Sequence, residues 1–248
     1  MPRKGKNPEG PSPTIEDYLQ LIHQMTREGK PVHGSHLAAR MSVAVATTFA
    51  TVQRMQRAGL VQVNKQKEIQ LTPRGREMAE AVVRRHALAE RLLVDVLQLP
   101  WHEAHEEAHA FEHVISPRVE AQLMKLLNSP TTCPHGNPIP GRGEDQLVGS
   151  VRLSTLGEGA RVTMVRISED AESEPDLLEY LQRHGLVPGA EFEVAGVQPW
   201  NSLLILRRDG EEIPLGMPAA QKIWVRPQRA TSGSAAVATP ALSLSEGV

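Results

Sequence analysis

The sequence predicts a mainly α fold in three parts: a winged helix-turn-helix, a helical histidine-rich domain and a small all-β barrel-like domain. Three observations predict it. Apolar residues recur at helical spacing in the first half and alternate at strand spacing after Val151. The charge divides along the chain: residues 1–85 hold 14 Lys and Arg against 7 Asp and Glu, which leaves 13 against 22 for the remainder of a chain whose net charge is -2. Histidine is uneven too, five of the ten lying between positions 86 and 113.

With 248 residues, 40% hydrophobic and 23% charged, the chain suits more than one core and excludes wholesale disorder or a fibrous repeat. No apolar run approaches the roughly 20 residues of a membrane span, so no membrane association is expected. The basic start Met1-Pro2-Arg3-Lys4-Gly5-Lys6 leads into polar residues rather than an apolar signal core, which favours the cytoplasm. Cys133 is the single cysteine, so an intramolecular disulfide is impossible, in keeping with a reducing compartment.

The winged helix-turn-helix is expected over 1–76. Ile15, Tyr18, Leu19, Ile22 and Met25 mark a first helix with Ser12 or Thr14 as cap and Gly29 as stop. Ser35 caps a short second helix, and Val45, Phe49, Val52 and Met55 mark a third that ends at Gly59. Leu60 to Val63 and Ile69 to Leu71 alternate like strands around the basic turn Lys65-Gln66-Lys67. The third helix would enter a major groove, with Thr47, Thr48 and Thr51 offering hydroxyls and Arg54 and Arg57 offering charge to phosphates. A basic segment of this size suits double-stranded DNA.

The helical domain is expected over 77–140. Thr72 and Pro73 open a long helix to about Leu97, carrying His86 and Glu90 one turn apart. A second, His102 to Val114, gathers His102, His105, Glu106, His109, Glu112 and His113 within about 120° of arc and closes at Ser116-Pro117. Imidazoles and carboxylates on one face make a poor core and suit a divalent first-row metal. The run His105-Glu106-Glu107-Ala108-His109 matches the zinc-protease pattern, yet the downstream ligands that pattern needs are missing, so it reads as coincidence. Asp17, three residues after Thr14, has the spacing of a capping-box carboxylate.

A Pro/Gly-rich run between 128 and 150 suggests a linker, placed at 141–150, with Cys133 packing as a small side chain. Short strands over 151–227 are interrupted by a helix from Asp176 to His184 and include a hairpin turn at Asp209-Gly210. The acidic run Glu169-Asp170-Ala171-Glu172-Ser173-Glu174 has the composition of a solvated loop, and the Ala/Ser/Thr-rich tail over 228–248 that of a disordered segment.

The order of these parts resembles the diphtheria-toxin-repressor family of metal-dependent transcriptional regulators, which includes iron-dependent repressors and manganese transport regulators. The stretches that carry the resemblance are His86-Ala87-Leu88-Ala89-Glu90-Arg91-Leu92-Leu93, Glu112-His113-Val114 and Gly136-Asn137-Pro138-Ile139-Pro140-Gly141, and it extends from about Ser12 to Pro227. It implies that 77–140 is a helical dimerisation and metal-binding domain, that the protein is a homodimer acting as a repressor of metal-uptake genes on a palindromic DNA operator, and that 151–227 is FeoA-like. By position it implies a regulatory metal site of Asp17, His109, Glu112 and His113, a second site of His86, Glu90 and His105, and an ancillary pair Glu169 and Glu172. Thr47, Arg54, Arg57 and Lys67 match positions that in the family seat the domain on phosphates, and Ser35 is chemically suited to the same role.

The departures bear on the metal. Iron-sensing relatives have methionine and cysteine where this chain has Asp17 and His109, harder ligands that favour Mn(II) over Fe(II), with other divalent first-row metals able to substitute in vitro. Many manganese members carry glutamate where this chain has Gln20. In the third helix, Ala44, Ala46 and Ala50 replace polar residues and a proline, so an operator sequence cannot be inherited. Two other readings stand beside this one: a zinc hydrolase using the His105 to His109 run, and a DNA-binding protein whose metal is purely structural.

Overall fold

The computed structural model describes residues 11–228. Helix α1 (Pro13–Arg27) starts after Ser12 with proline in its first turn and buries Tyr18, Leu19, Ile22 and Met25. Helix α2 (Gly34–Arg40) begins one residue before Ser35, so His33, not Ser35, holds the cap position. Helix α3 (Val45–Arg57) buries Thr48, Thr51, Val52 and Met55. Strands β1 (Val61–Val63) and β2 (Ile69–Leu71) pair antiparallel as the wing, with Gln62 opposite Gln70.

Helix α4 (Pro73–Arg91) is opened by Thr72, whose hydroxyl accepts a 3.0 Å bond from the Gly75 amide. A Cβ at Gly75 would sit 1.9 Å from the Leu60 carbonyl oxygen, so only glycine lets the helix start pack against the strand. The α-helix stops short of the expected Leu97: its last turn widens to a π-turn over Leu92–Val96. Helix α5 (Ala104–Glu112) is shorter than the expected 102–114. Ser116-Pro117 is a start as well as a stop. Ser116 caps a helix the sequence reading passed over, α6 (Pro117–Leu126), with Pro117 in its first turn.

The third unit is a six-stranded antiparallel sheet of β3 (Val151–Arg152), β4 (Arg161–Ile167), β5 (Glu191–Gln198), β6 (Leu203–Arg208), β7 (Glu211–Gly216) and β8 (Ile223–Pro227), in the order β3-β8-β4-β5-β6-β7. Helix α7 (Pro175–Arg183) connects β4 to β5, and the short helix α8 (Met217–Ala220) connects β7 to β8. Asp209 and Gly210 both have positive φ, 51° and 84°, as the two-residue turn joining β6 to β7 requires. Separate apolar cores form around Leu19, Ile22 and Met55 in the first unit, around Leu88 and Ala108 in the second, and around Met164, Leu178 and Leu206 in the third.

The segment expected as the start of a linker is instead mostly interior. Cys133 to Pro140 is buried, and Gly136, at φ 87°, lies so near β4 that an added Cβ would meet the Val165 carbonyl at 2.1 Å. Trp101, just before α5, joins the core of the sheet, and its indole N–H donates to the Pro134 carbonyl at 3.0 Å. His102 does not belong to a metal-facing arc either: its Nδ1 donates to Gln182 Oε1 of α7 at 2.9 Å. The expected disordered tail lies outside the described residues apart from Gln228, whose amide donates to the Arg161 carbonyl at 2.8 Å. Among the described residues no helix is long and apolar enough to cross a membrane.

Candidate metal centre

Helices α4 and α5 turn their histidines and carboxylates toward each other. His86 Nε2 lies 3.1 Å from Glu90 Oε1 and 3.1 Å from His105 Nδ1. His105 Nδ1 in turn lies 3.2 Å from Glu90 Oε1 and 3.2 Å from Oε2 of Glu172, which follows β4 of the sheet. These four residues are buried, with their potential ligand atoms within 4.8 Å of one another. Asn137 holds Glu172 by donating to its Oε1, while its other contacts are the Ile167 carbonyl at 2.9 Å and Arg166 at 2.9 Å.

A second group joins α1 to the end of α5. Asp17 Oδ1 and Glu112 Oε1 lie 2.9 Å and 3.3 Å from His113 Nε2. The other ring nitrogen, Nδ1, is 2.7 Å from Glu16, itself held by Arg85 at 2.8 Å. That arrangement frees Nε2 for Asp17 and Glu112, as an outer carboxylate does for a ligating histidine. Asp17 lies inside α1, away from its start, and serves no capping box. His109 stands at the rim, half exposed, with Nδ1 3.3 Å from Glu112 Oε1.

The structure adds donors that the sequence reading missed. His135 is fully buried; its Nε2 donates to the Trp101 carbonyl at 3.2 Å, which leaves Nδ1 facing Glu90. That Nδ1 makes no hydrogen bond yet lies 3.3 Å from Glu90 Oε1, and Glu90, Cys133 and His135 form a ligand-type cluster of their own. Cys133 does pack as a small apolar side chain against Ala87 and Ile139. The only sequence trace of this donor set was the close spacing of Cys133 and His135 in a segment read as a linker.

Glu169 lies outside these clusters. Its Oε1 accepts from Arg27 at 3.3 Å, while Asp170 pairs with Lys30 at 2.7 Å and Glu28 with Arg166 at 2.6 Å. The acidic run is therefore no solvated loop; it ties the sheet to the end of α1. Four polar atoms are buried without a hydrogen-bond partner: Gln20 Oε1, Glu90 Oε2 and Glu169 Oε2, whose residues line one cavity, and His135 Nδ1 beside Glu90. Such atoms are costly unless something else satisfies them, and the oxygens, like the imidazole nitrogen once its proton has left, are acceptors suited to a cation.

Electrostatics run the same way. Burial alone would depress the His86 and His105 imidazoles, but the carboxylates around them outweigh it, raising His86 well above its ordinary value and His105 to about 9. Burial would raise Glu90 and Glu112, yet histidines hold Glu90 far below the usual carboxylate range and Glu112 at about 2. Burial lifts Asp17 and pushes Glu169 to about 7, the nearby Arg27 only partly opposing it. The cluster is thus a set of anionic carboxylates neutralised by protons on imidazoles, which is what a divalent cation would replace. The zinc-protease match finds no such support: Glu106 is exposed, and His105 and His109 fall in different clusters.

At the wing end, Ser35, Thr47, Arg54, Arg57 and Lys67 are exposed. Thr48 and Thr51 must be withdrawn as DNA contacts. Thr48 is fully buried, its hydroxyl 2.9 Å from that of Tyr18, and Thr51 is buried on the same core-facing side of α3. Val45 and Phe49, expected on the apolar core face, are instead 60% and 63% exposed.

A winged helix-turn-helix, a metal-ligand cluster on a helix pair and a small antiparallel sheet define a metal-responsive DNA-binding regulator. Family models match all three parts: the N-terminal DNA-binding domain of iron-dependent repressors over residues 12–69, their metal-binding and dimerisation domain over 72–141, and the FeoA domain over 151–227. The iron-dependent repressor IdeR of Mycobacterium leprae is 40% identical over 222 residues, covering 86% of this chain and 96% of that protein. The diphtheria toxin repressor of Corynebacterium diphtheriae is 37% identical over 189 residues, covering 73% and 84%. Among solved structures, a manganese-dependent transcriptional repressor in complex with manganese superposes with a TM-score of 0.76 at 32% identity, covering 86% of this chain and all of that one. ScaR with bound Zn2+ gives 0.71 at 30% identity, covering 86% and 98%. The chain belongs to the iron-dependent repressor family.

Proposed function

We propose that this protein is a homodimeric, metal-activated transcriptional repressor that senses cytoplasmic Mn(II), with Fe(II) as the alternative, and controls genes for uptake of that metal; it is not an enzyme. One observation carries the reading: Asp17 of the DNA-binding domain lies 2.9 Å from His113 of the helical domain, in a cluster completed by Glu112. A cation held there ties the recognition unit to the dimerising helices. Asp17, Glu112, His113 and, from the rim, His109 form the regulatory site. His86, Glu90, His105 and Glu172 form the second, with His135 and Cys133 beside it and Glu169 bracing the sheet against Arg27.

A bound cation would supply among the carboxylates the positive charge that protons on the imidazoles otherwise provide. The residues do the rest: Glu16 orients His113, Asn137 orients Glu172, and the Trp101 carbonyl orients His135. Fixing α1 against α5 selects one setting of the DNA-binding domain, so metal and a palindromic operator bind with reciprocal coupling of typically about 1–3 kcal/mol. Oxygen and imidazole ligands at the regulatory site favour Mn(II). The test is selection of duplexes from a random pool by the full chain with Mn(II), with Fe(II) under anaerobic conditions, and with chelator. Enrichment only with metal supports the proposal; equal enrichment under chelation would leave the metal a structural role.

A further inference from the structure

Helix α1 is held at both ends, and only its start belongs to the regulatory site. Asp17 stands near that start, while Glu28, eleven residues and about 16 Å along the axis, caps the end. Four residues further on, the Val32 carbonyl accepts from the Ile69 amide of the wing at 2.8 Å, so the position of Glu28 sets where the chain enters the wing and α2.

Glu28 is seated in the sheet. Arg152, Trp224 and Arg166 lie side by side across β3, β8 and β4, each arginine in register with the tryptophan. Both guanidiniums lie over the indole, 4.9 Å and 4.8 Å from its centroid, and both turn to Glu28: Arg166 Nη1 is 2.6 Å from Oε1 and Arg152 Nη2 3.9 Å from Oε2. The Arg166 and Glu28 side chains are 7% and 5% exposed, so a buried ion pair joins the sheet to the DNA-binding domain. The same Arg166 Nη1 donates to Asn137 Oδ1 at 2.9 Å, and Asn137 Nδ2 donates to the Ile167 carbonyl at 2.9 Å and to Glu172 Oε1. Every hydrogen is assigned. Nη1 has two, for Glu28 and Asn137, and Nδ2 has two, for Ile167 and Glu172, while Oδ1 can only accept, so the amide has one orientation. Gly136 fixes the backbone beside it, since an added Cβ would lie 2.9 Å from the Cβ of Arg166. Glu172 meanwhile presents Oε2 to His105 at 3.2 Å. A buried line of Glu172, Asn137, Arg166 and Glu28 thus runs from the second ligand cluster to the end of α1.

We propose that Asn137 and Arg166 are positioning residues that couple the second metal site to the DNA-binding domain, so that a cation on Glu172 fixes the end of α1 as a cation on Asp17 fixes its start. The proposal rests on the metal-sensing reading above and gives its second site a regulatory role. One tether leaves a helix free to swing about it; two set its axis. A shift of Glu172 onto a cation moves the acceptor that Asn137 serves, and the pair of Arg166 with Glu28 is biased with it. This response does not pass through Asp17.

The experiment uses the full chain carrying Asp17→Ala, with one equivalent of Mn(II) shown to be bound by calorimetry. Two quantities are read with and without Mn(II): amide hydrogen exchange over residues 24–34 in the absence of DNA, and affinity for the duplex that the parent recovers from a random pool. Mn(II) should slow exchange at the end of α1 about 10-fold and tighten duplex binding by a similar factor. Both responses should vanish when Glu28→Leu and Arg166→Leu are added together, because apolar side chains generally replace a buried ion pair without loss of fold. Asn137→Ala, read at saturating Mn(II), should remove them as well while the ion pair stays in place, so the result does not depend on the folding of one variant. Bound Mn(II) that alters neither quantity in the Asp17→Ala chain overturns the proposal. So does a response that survives either set of changes, or exchange that these changes speed equally with and without Mn(II), which is what a merely structural role predicts. Recovery of no duplex by the parent overturns the DNA-binding reading alone, and exchange still decides the coupling. Failure of the parent to bind Mn(II) overturns the metal-sensing reading and the proposal with it.

Discussion

His86 and Glu112 bring the ligand clusters together: His86 Nδ1 lies 2.6 Å from Glu112 Oε2, while His86 Nε2 faces Glu90 and Glu112 Oε1 faces His113. With His109 the two also form a ligand-type group of their own, so each residue belongs to two clusters. Glu112 therefore touches a histidine of each cluster, whereas Asp17 touches His113 alone of these residues.

Asp17 and Glu112 should consequently differ in reach. Asp17→Ala removes the link from α1 alone, so the metal-loaded variant should keep its fold and one high-affinity metal while operator binding weakens 10-fold or more, in line with a coupling of about 1–3 kcal/mol. Glu112→Gln should weaken both metals. Calorimetric metal titration with operator gel shifts separates the two; an Asp17→Ala protein activated at the same metal concentration as the parent would remove Asp17 from the site.

The two glutamates after β4 should also separate. Glu172 sits 3.2 Å from His105 among the donors, whereas Glu169 pairs with Arg27. Glu172→Gln should lower the affinity of one metal by about 10- to 100-fold. Glu169→Gln should leave that isotherm within a few fold and instead speed proteolysis between 141 and 150 by loosening the sheet from α1. Equal losses of metal from both variants would place Glu169 among the ligands.

How much of this was readable in advance follows from where each donor sits. His86 and Glu90, and His105, His109, Glu112 and His113, were legible because helical periodicity converts spacing into a shared face. His135 and Glu16 were not: one arrives on an irregular buried segment and the other acts through a histidine 97 residues away, neither of which leaves a period. The error at Thr48 and Thr51 has the opposite origin. A threonine's hydroxyl suits a groove or a core, but Thr48 shares the helix face of Val52 and Met55, where it meets Tyr18, and Thr51 is buried with them. Phe49 misled because apolar spacing assigns every large side chain to the core, although a binding surface also spends apolar residues outside it.

His135 offers a direct check on the added donor. His135→Asn removes the Nδ1 that faces Glu90 while keeping a polar side chain in the buried position. The second-site affinity should fall by at least about 10-fold and the regulatory site should be unaffected. An unchanged isotherm would make His135 a packing residue hung from Trp101.

Metal binding should depend on pH through the protons it displaces. In the metal-free protein His105 titrates at about 9, so at pH 7 it holds a proton that must leave before Nδ1 can act as a ligand. Affinity for Mn(II) should rise as pH increases from 6 to about 9 and then level off. Calorimetry in two buffers of different ionisation enthalpy should show net proton release at pH 7. An enthalpy independent of buffer would mean that the imidazoles are already neutral.

His23 sets a separate acid limit on the DNA-binding domain. It is buried in α1, its Nε2 has no partner, and burial together with Arg27 and Arg76 lowers its value from 6.5 to about 4. A folded value below the unfolded one means that the unfolded chain binds the proton more readily. The associated stability is therefore fully present above pH 6.5 and is lost as pH falls toward 4. Integrated from pH 7 to pH 4 the loss is about 3 kcal/mol, a sizeable part of the margin of an ordinary domain. His23→Gln keeps a polar side chain of similar size and removes the titration. Urea unfolding of the metal-free proteins at pH 7 and pH 4 should therefore show the parent losing about 3 kcal/mol more than the variant over that interval. Identical losses would mean that His23 is accessible to protons in the folded state and that the acid sensitivity of this domain originates elsewhere.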